Sequence, residues 1–398
     1  MSPSFTSNSS HPFRFLAKAM LFLTPLVLPA LFIELLFYRS GENWSVEQVL
    51  RAQAQNPETI YSRSFFSQQF NLFKTKAIER KQPEILALGS SRVMQLREEM
   101  FHPLQTSFYN GGGMIQRIED LPALAGLFDE GLPRPKVLIL GIDPWWLKKG
   151  RTPKPSWLEE REDKTRNFAG HLEAARLLVK DRKMAAKLMT GSTSATSTAY
   201  ALPVIGLNSQ VHGLGFRKDG SLLNEKHILN YLENPVFVDG EKPPIYQRIL
   251  NHGEPFTRAN EISEPALQLL FEVLEDWRAK GTEVYVFLPP FSTPSYEALL
   301  ADDAYSRWWK AFSTDLPEQL RSRGIPCLVT LYPGALGLDD RYMIDGFHPT
   351  EVFVGRILEE LLALAPPESL LTRVDRDKLY AMGRAAQVLP ICFDPPPK

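Results

Sequence analysis

Cysteine is nearly absent from this chain: Cys327 and Cys392 are the only two in 398 residues. Neither lies in a CxxC or in a Cys/His cluster at metal-ligand spacing, which argues against a structural zinc site and against a disulfide framework. Both read as half-buried thiols, with a single bridge between them in an oxidising compartment as the alternative. Histidine is sparse as well, and His11, His102, His171, His212, His227 and His252 form no HxxxH or HExxH pair, so metal-dependent chemistry lacks ligands at usable spacing. The chain also lacks net charge. Lys plus Arg number 45 against 46 for Asp plus Glu, so there is no positive field to collect the phosphates of a nucleic acid, and no nucleic-acid partner is expected. Internal repeats are missing, and no GxxxxGK[ST] or GxGxxG follows a strand, so the three glycines Gly111 to Gly113 read as backbone permissiveness and not as a phosphate cradle. Neither a metal nor an organic cofactor is expected.

What is present begins with apolar content: 44% hydrophobic residues suffice for a sizeable core. Residues 1–14 open on Ser, Asn and Pro without a hydrophobic period and are expected to lack fixed structure. From Phe15 to Phe37 runs a 23-residue apolar stretch, interrupted only by Lys18, Thr24, Pro25, Pro29 and Glu34. As a helix it would reach roughly 34 Å, enough to cross a bilayer, and it has neither the polar face of a core helix nor the cleavage site of a signal peptide. Residues 15–38 are therefore expected to be an uncleaved single-pass anchor. Arg14 and Lys18 before it are balanced by Arg39 and Arg51 after it, so only a slight preference for an inside N-terminus emerges. Pro25 and Pro29 should bend the helix, and Glu34 should snorkel or pair with Arg39.

Residues 39–82 read as a polar helical linker, and beyond them short apolar runs alternate with amphipathic helices. Candidate strands are Ile85 to Leu88, Ser107 to Tyr109, Val137 to Leu140, Val284 to Leu288 and Cys327 to Leu331, mostly apolar on both faces, as strands of a covered parallel sheet are. Between them lie helix signals such as Ser263 as N-cap, Pro265 in the first turn, the apolar face Leu267, Leu270, Phe271 and Leu274, and Gly281 as the stop. The pattern predicts a three-layer α/β/α domain over residues 83–365, with a flavodoxin-like parallel sheet of about five strands. Residues 148–262 break the rhythm and read as an insertion or lid, with a helix around His171 to Met189, a Ser/Thr/Ala-rich loop at Ser192 to Thr198 and a turn at Asp219-Gly220. Pro366 and Pro367 should end regular structure, leaving residues 366–398 as a tail.

Two segments carry candidate chemistry. The strand Ile85 to Leu88 runs into Gly89-Ser90-Ser91-Arg92, which places a hydroxyl at the carboxyl end of a parallel strand, where open α/β sheets build their sites. An ordinary helix N-cap is the structural alternative. Far downstream, Asp345-Gly346-Phe347-His348-Pro349-Thr350 precedes a helix over Val352 to Leu364. The three-residue spacing lets the carboxylate orient the imidazole while its other nitrogen faces a nucleophile. A capping Asp beside a surface His is the alternative there.

Gly89-Ser90-Ser91 resembles the GDS motif of the SGNH/GDSL hydrolase superfamily, with Ser91 in the nucleophile position and Ser90 where that family has Asp. Asp345 to His348 is similar to its closing DxxH motif. Asn110-Gly111-Gly112-Gly113 resembles its second block, which implies a backbone oxyanion donor at Gly113, or at Gly112. The family's third block reads GxND, whereas this chain has Gly141-Ile142-Asp143-Pro144-Trp145-Trp146; an ionised Asp143 cannot donate to an oxyanion, so it stays protonated, serves another role or marks a weakened hydrolase.

The resemblance, which covers about Pro83 to Trp146 and Glu283 to Leu364, implies an acyl-enzyme mechanism. His348 deprotonates Ser91, Asp345 steadies the imidazolium, and the N–H groups of Ser91 and Gly113 hold the oxyanion. Arg92 would pair with Asp143 or with an anionic substrate group, or form a plain surface salt bridge. Trp145 and Trp146 would wall a substrate site, with core packing the alternative for at least one of them. Selectivity would come from the insertion. The anchor and the GSS variant are similar to the superfamily's acyl-transfer branches of the cell envelope, which implies an acyl-ester or glycan substrate, the membrane, and a membrane-bound O-acyltransferase as partners. A non-catalytic binding or assembly protein on the same scaffold is the other expectation, and Asp143 favours it.

Overall fold

The computed structural model of the chain describes residues 11–64, 66–150, 156, 168–190, 200–233, 243–385 and 392. Its strands are β1 (Ile60–Tyr61), β2 (Ile85–Gly89), β3 (Phe108–Gly112), β4 (Val137–Gly141), β5 (Val204–Ile205), β6 (Leu214–Phe216), β7 (Leu222–Asn224), β8 (Glu283–Leu288) and β9 (Cys327–Val329). The five anticipated strands pair in parallel in the order β3-β2-β4-β8-β9. In this doubly wound order the chain starts in the interior of the sheet, at β2, adds β3 on one side and then β4 on the other. The crevice where the winding reverses thus opens at the carboxyl ends of β2 and β4.

Period-two alternation divides the strand side chains between two helical layers. Leu86 and Leu88, Leu138 and Leu140, and Val284 and Val286 pack with Phe73 and Ala77 of the helix Phe66–Lys81, Leu124 of Asp120–Asp129, and Leu270, Leu274 and Trp277 of Glu264–Ala279. On the opposite face Ile85, Ala87, Val137, Ile139, Tyr285 and Phe287 meet Val354, Ile357, Leu358 and Leu361 of the helix Glu351–Ala363. Each fully buried aliphatic or aromatic side chain contributes about 1.5–3 kcal/mol, so both layers are held by the strands they cover. The helix Glu264–Ala279 starts as anticipated: the Ser263 hydroxyl accepts from the Ala266 N–H, and Pro265 occupies the first turn. Cys327 and Cys392 are both buried, more enclosed than expected, and burial pushes Cys327 up to about 12.

Three expectations need correction. Residues 39–82 are no linker: β1 joins β5, β6 and β7 in a second, four-stranded sheet, and the flanking helices Val46–Gln55 and Phe66–Lys81 bury Val49, Leu50, Phe73 and Ile78 in the main core. Within the insertion, the span from His171 to Met189 is two helices, Phe168–Lys180 and Arg182–Thr190, the second capped by the Asp181 carboxylate on the Met184 N–H. The Ser192 to Thr198 loop lies outside the described residues. Beyond Pro367 the chain is ordered through Ala385, with a short turn Leu370–Arg373 and a helix Arg376–Ala385; Leu371, Val374 and Leu379 pack into the layer of Glu351–Ala363. Pro366 and Pro367 end one helix without ending the domain.

At the amino end, residues 11–14 are helical, within His11–Ser40, and residues 1–10 lie outside the described residues. Among the described residues no single helix is long and apolar enough to cross a membrane. Phe13–Pro25 and Val27–Ser40, bent by 51°, meet that test together. The bend falls between Pro25 and Val27, in the turn preceding Pro29, whose ring crowds that turn and which lacks the N–H for an intrahelical bond. Phe15, Leu21, Phe22, Leu28 and Leu31 are exposed along it, whereas Leu36 and Phe37 pack against Ala174, Leu178 and Leu188. Glu34 contacts Asn43 and His171 rather than Arg39, whose guanidinium donates to the carbonyls of Leu188 and Met189.

The β6–β7 hairpin docks the insertion on the edge of the main sheet. The Asn110 N–H donates to the Asp219 carbonyl at 2.7 Å, and Gly220, at φ +81°, approaches so closely that a Cβ would lie 2.2 Å from the Asn110 carbonyl oxygen. Gly220→Ala is therefore expected to destabilise by at least about 1 kcal/mol. Gly126→Ala, inside the helix Asp120–Asp129 with open space at its Cβ, should instead stabilise by about 0.5–1 kcal/mol. Paired denaturant titrations read the opposite signs, and a neutral Gly220→Ala would mean that the hairpin is not seated on β3.

Candidate active site

Gly89 ends β2 at φ +151°, with Gly141 O and the Val93 side chain too near its Cα to admit a Cβ. The chain turns there into a short helical turn, Ser91–Val93. The capping alternative for the serines is divided between them: the Ser90 hydroxyl accepts from the Arg92 N–H at 3.3 Å, while the Ser91 hydroxyl lies 2.9 Å from His348 Nε2. His348 Nδ1 is 2.8 Å from Asp345 Oδ2. The other carboxylate oxygen, Asp345 Oδ1, accepts from the backbone N–H groups of Phe347 (3.0 Å) and His348 (2.9 Å), which locks the loop to its own side chain. Thr350 then caps the helix Glu351–Ala363 through the Phe353 N–H.

Burial alone would raise the Asp345 carboxyl. The charge of His348, its ring N–H and the two backbone donors outweigh burial and hold the group well below the usual carboxylate range. The stabilisation from this depressed value is fully present above the ordinary carboxylate pKa and disappears only as pH falls through the lowered one. At neutral pH Asp345 is an anion that fixes the tautomer with the proton on Nδ1, leaving Nε2 to accept from Ser91.

Of the alternatives for Arg92, namely Asp143, an anionic substrate group and a surface salt bridge, the structure shows the first: Arg92 and Asp143 are both fully buried and paired. Arg92 Nη1 donates to Asp143 Oδ1 at 2.8 Å, Nε to the Phe347 carbonyl at 3.1 Å, and Nη2 to the carbonyls of Pro289 (2.7 Å) and Pro290. The guanidinium lies over the rings of Phe291 and Phe347, 4.1 and 4.9 Å from their centroids. Burial pushes Arg92 down and Asp143 up, each opposed by the charge of the other; a guanidinium does not give up its proton in proteins, and its charge favours the ionised carboxylate beside it. Asp143 therefore belongs to no oxyanion hole. It neutralises the cation that joins the Ser91 turn to the His348 loop. Arg92→Met is expected to cost about 3–5 kcal/mol, because it strands a buried carboxylate, and Arg92→Met/Asp143→Leu should recover most of that loss. Chemical denaturation of the three proteins checks this; a double variant no more stable than the single one would remove the pairing as the cause.

The assignment of Gly113 also changes. Its N–H donates to the carbonyls of Gly89 (2.8 Å) and Ser90 (2.9 Å), so in this state it serves the nucleophile turn and is not free for an oxyanion. The segment before it is held from beneath. Lys74, fully buried and pushed well below the usual lysine range by desolvation, with Asp219 opposing, donates to Asn110 O at 3.1 Å and Gly112 O at 2.6 Å. The Asn110 side chain ties the same strand end to Val93 O and Leu96 O, and Gly112 N donates back to its Oδ1. Sequence reasoning missed Lys74. An isolated lysine in an amphipathic helix gives no sign that its amine is buried. The Ser91 N–H, by contrast, donates to nothing among the described residues.

Ser91, Gly113, Asp345 and His348 line a cavity of about 560 Å³. Trp145 lines it too, stacked on Phe347 at 5.4 Å, whereas Trp146 is 1% exposed and belongs to the core. The insertion contributes Leu214, Leu222, Asn224, His227, Ile245 and Arg248 to its walls. These positions carried no motif and could be found only once the hairpin was seated. No group of three or more His, Cys, Asp or Glu side chains suited to a metal occurs among the described residues. The arrangement is suited to nucleophilic attack by a serine hydroxyl on an acyl carbonyl. Comparison with models of protein families and with curated proteins returned no match.

Proposed function

We propose that the chain is a membrane-anchored serine esterase or O-acyltransferase of the SGNH/GDSL type, acting on acyl esters of an envelope glycan or polymer. The observation that carries this reading is the continuous relay Asp345–His348–Ser91, with contacts of 2.8 and 2.9 Å, opening into a cavity. Ser91 Oγ attacks the ester carbonyl as His348 Nε2 takes its proton. The imidazolium then protonates the departing alkoxide, and an acyl-Ser91 ester remains. Water gives hydrolysis; a sugar hydroxyl gives transfer. In the transfer version the donor is supplied by a membrane-bound O-acyltransferase beside the amino-terminal helix. The exposed apolar side chains of Phe13–Pro25 and Val27–Ser40 support a single-pass anchor, and the slight charge preference for an inside N-terminus would put the catalytic domain on the extracytoplasmic side.

A second reading, a scaffold that binds without turnover, draws on the engaged Gly113 N–H and the absence of a side-chain donor at Asp143. Fluorophosphonate labelling separates the two. Wild type is expected to label and Ser91→Ala to remain blank. Asp345→Asn, which disturbs the tautomer, should label on the order of 10⁴-fold more slowly. Equal labelling of wild type and Ser91→Ala would eliminate Ser91 as the nucleophile. Labelling without turnover of any O-acyl ester would favour the scaffold.

A further inference from the structure

A second imidazole shares the cavity with the triad. His227 lies in the first turn of the helix Glu225–Glu233, inside the insertion, and lines the same cavity as Ser91, Asp345 and His348. Its place is set from the nucleophile's own turn. Met94 N donates to the Ser91 carbonyl at 3.2 Å, and the Met94 carbonyl accepts from Leu222 N at 2.9 Å, so β7 starts where the serine turn ends. Asn224 closes that strand, and its side-chain oxygen accepts from the His227 N–H at 3.3 Å, capping the helix. Glu225 N donates to Gly213 O at 3.0 Å, and Ile228 packs with Ile60, Val204 and Leu223, which fixes the buried side of the helix and leaves His227 on the side of the cavity. The His227 ring itself has no hydrogen-bond partner among the described residues. Partial enclosure by the protein holds the imidazole below its ordinary pKa; the Asp345 charge opposes the shift, and His348 and Lys226 reinforce it. At neutral pH the ring is uncharged, with one nitrogen to donate and one to accept.

We propose that His227 binds the alcohol partner of the acyl exchange at Ser91: the leaving alcohol while the acyl-enzyme forms, and the acceptor alcohol when it is discharged. The proposal rests on the acyl-transfer reading of the triad and adds the residue that holds the acceptor. In discharge, His348 Nε2 takes the proton of the attacking hydroxyl as its oxygen bonds to the acyl carbon; the tetrahedral adduct then expels Ser91 Oγ, which recovers that proton from the imidazolium. His348 has no second nitrogen with which to orient the alcohol, because Nδ1 is held by Asp345 at 2.8 Å. A second, neutral imidazole can do so. It donates to or accepts from a further hydroxyl of the acceptor, which brings the attacking oxygen to the carbonyl in a fixed pose. An acyl chain offers nothing to those two nitrogens and would strand them away from water, whereas a polyhydroxylated alcohol satisfies both. The two half-reactions mirror each other at this site, so departing and incoming alcohols use the same contact.

The test gives the full chain p-nitrophenyl acetate as donor and excess glycerol as acceptor, and reads the ratio of glycerol acetate to free acetate with the Ser91→Ala background subtracted. That ratio is internal to each protein, so a loss of folded material cancels. His227→Ala is expected to lower it roughly 10-fold, the effect of one or two missing hydrogen bonds. His227→Gln, whose amide both donates and accepts, should keep more of it than His227→Ala. Lys226→Ala, at the neighbouring exposed position, should leave the ratio as in wild type. An undiminished ratio in His227→Ala, or an equal loss in Lys226→Ala, overturns the proposal. Release of p-nitrophenol provides the separate readout. Release that Ser91→Ala does not abolish sinks the triad and the proposal with it; Ser91-dependent release with a ratio indifferent to residue 227 sinks the proposal alone. Ser91-dependent release with no glycerol ester from wild type removes the acceptor site and leaves an esterase.

Discussion

One buried cation joins the parts of the site. Ser91 leaves β2 and His348 stands 257 residues later, yet the guanidinium next to the serine donates to the Phe347 carbonyl beside the histidine. The same group reaches Asp143 after β4 and the Pro289 and Pro290 carbonyls after β8. Arg92 thus ties together the carboxyl ends of the three central strands and the triad loop. An ion so deeply buried is tolerable only because Asp143 supplies its countercharge and three further acceptors use the remaining donors. The aromatic rings around it exclude water, which strengthens each of these bonds and makes any unpaired partner costly.

The strands were legible because each is apolar on both faces, and that is a direct consequence of two helical layers covering one sheet. The triad was legible because its three members sit in short motifs: a serine at a strand end, and a carboxylate three residues before an imidazole. The role of Asp143 was not. From sequence it read as an impaired oxyanion donor with an ion pair to Arg92 as one option, and only burial of both residues decides between them. The contribution of residues 39–82 was also hidden. β1 is two residues long, too short for periodicity to register, and it becomes a strand through its partners β5 and β6. The helix Arg376–Ala385 is not legible because a proline pair reads as the end of structure, whereas here it ends only one helix.

The insertion and the amino-terminal helix form one mechanical unit with the site. Glu42 accepts from Ser64 N and from Leu207 N, fastening the end of His11–Ser40 to the second sheet. That sheet ends in the β6–β7 hairpin, whose Asp219 and Gly220 rest on Asn110, and Asn110 in turn holds Gly112 and the turn after Ser91. Glu351 extends the linkage. It pairs with Arg97 and with Arg217 of the insertion at 3.1 Å each, at the start of the helix that follows His348. The cavity walls supplied by the insertion are thereby held at a set distance from the nucleophile, which loops alone would not ensure.

This rigidity bears on the oxyanion. The Gly112–Gly113 peptide is clamped from both sides: Lys74 holds the Gly112 carbonyl, and the Gly113 N–H is spent on Gly89 and Ser90. Turning that N–H toward a substrate would break two hydrogen bonds of its own and pull against a buried amine whose partners are carbonyl oxygens. The Ser91 N–H is then the backbone donor already available, and one missing donor is worth about 10²- to 10³-fold in rate. The geometry is therefore that of a nucleophile fully assembled beside an oxyanion site only partly assembled. Such a site attacks slowly unless the bound substrate supplies the energy to finish it. Contacts made remote from the reacting bond can be spent on rearrangement at it, and the cavity walls supplied by the insertion, among them Leu214, Leu222 and Ile245, are the surfaces where such contacts would form.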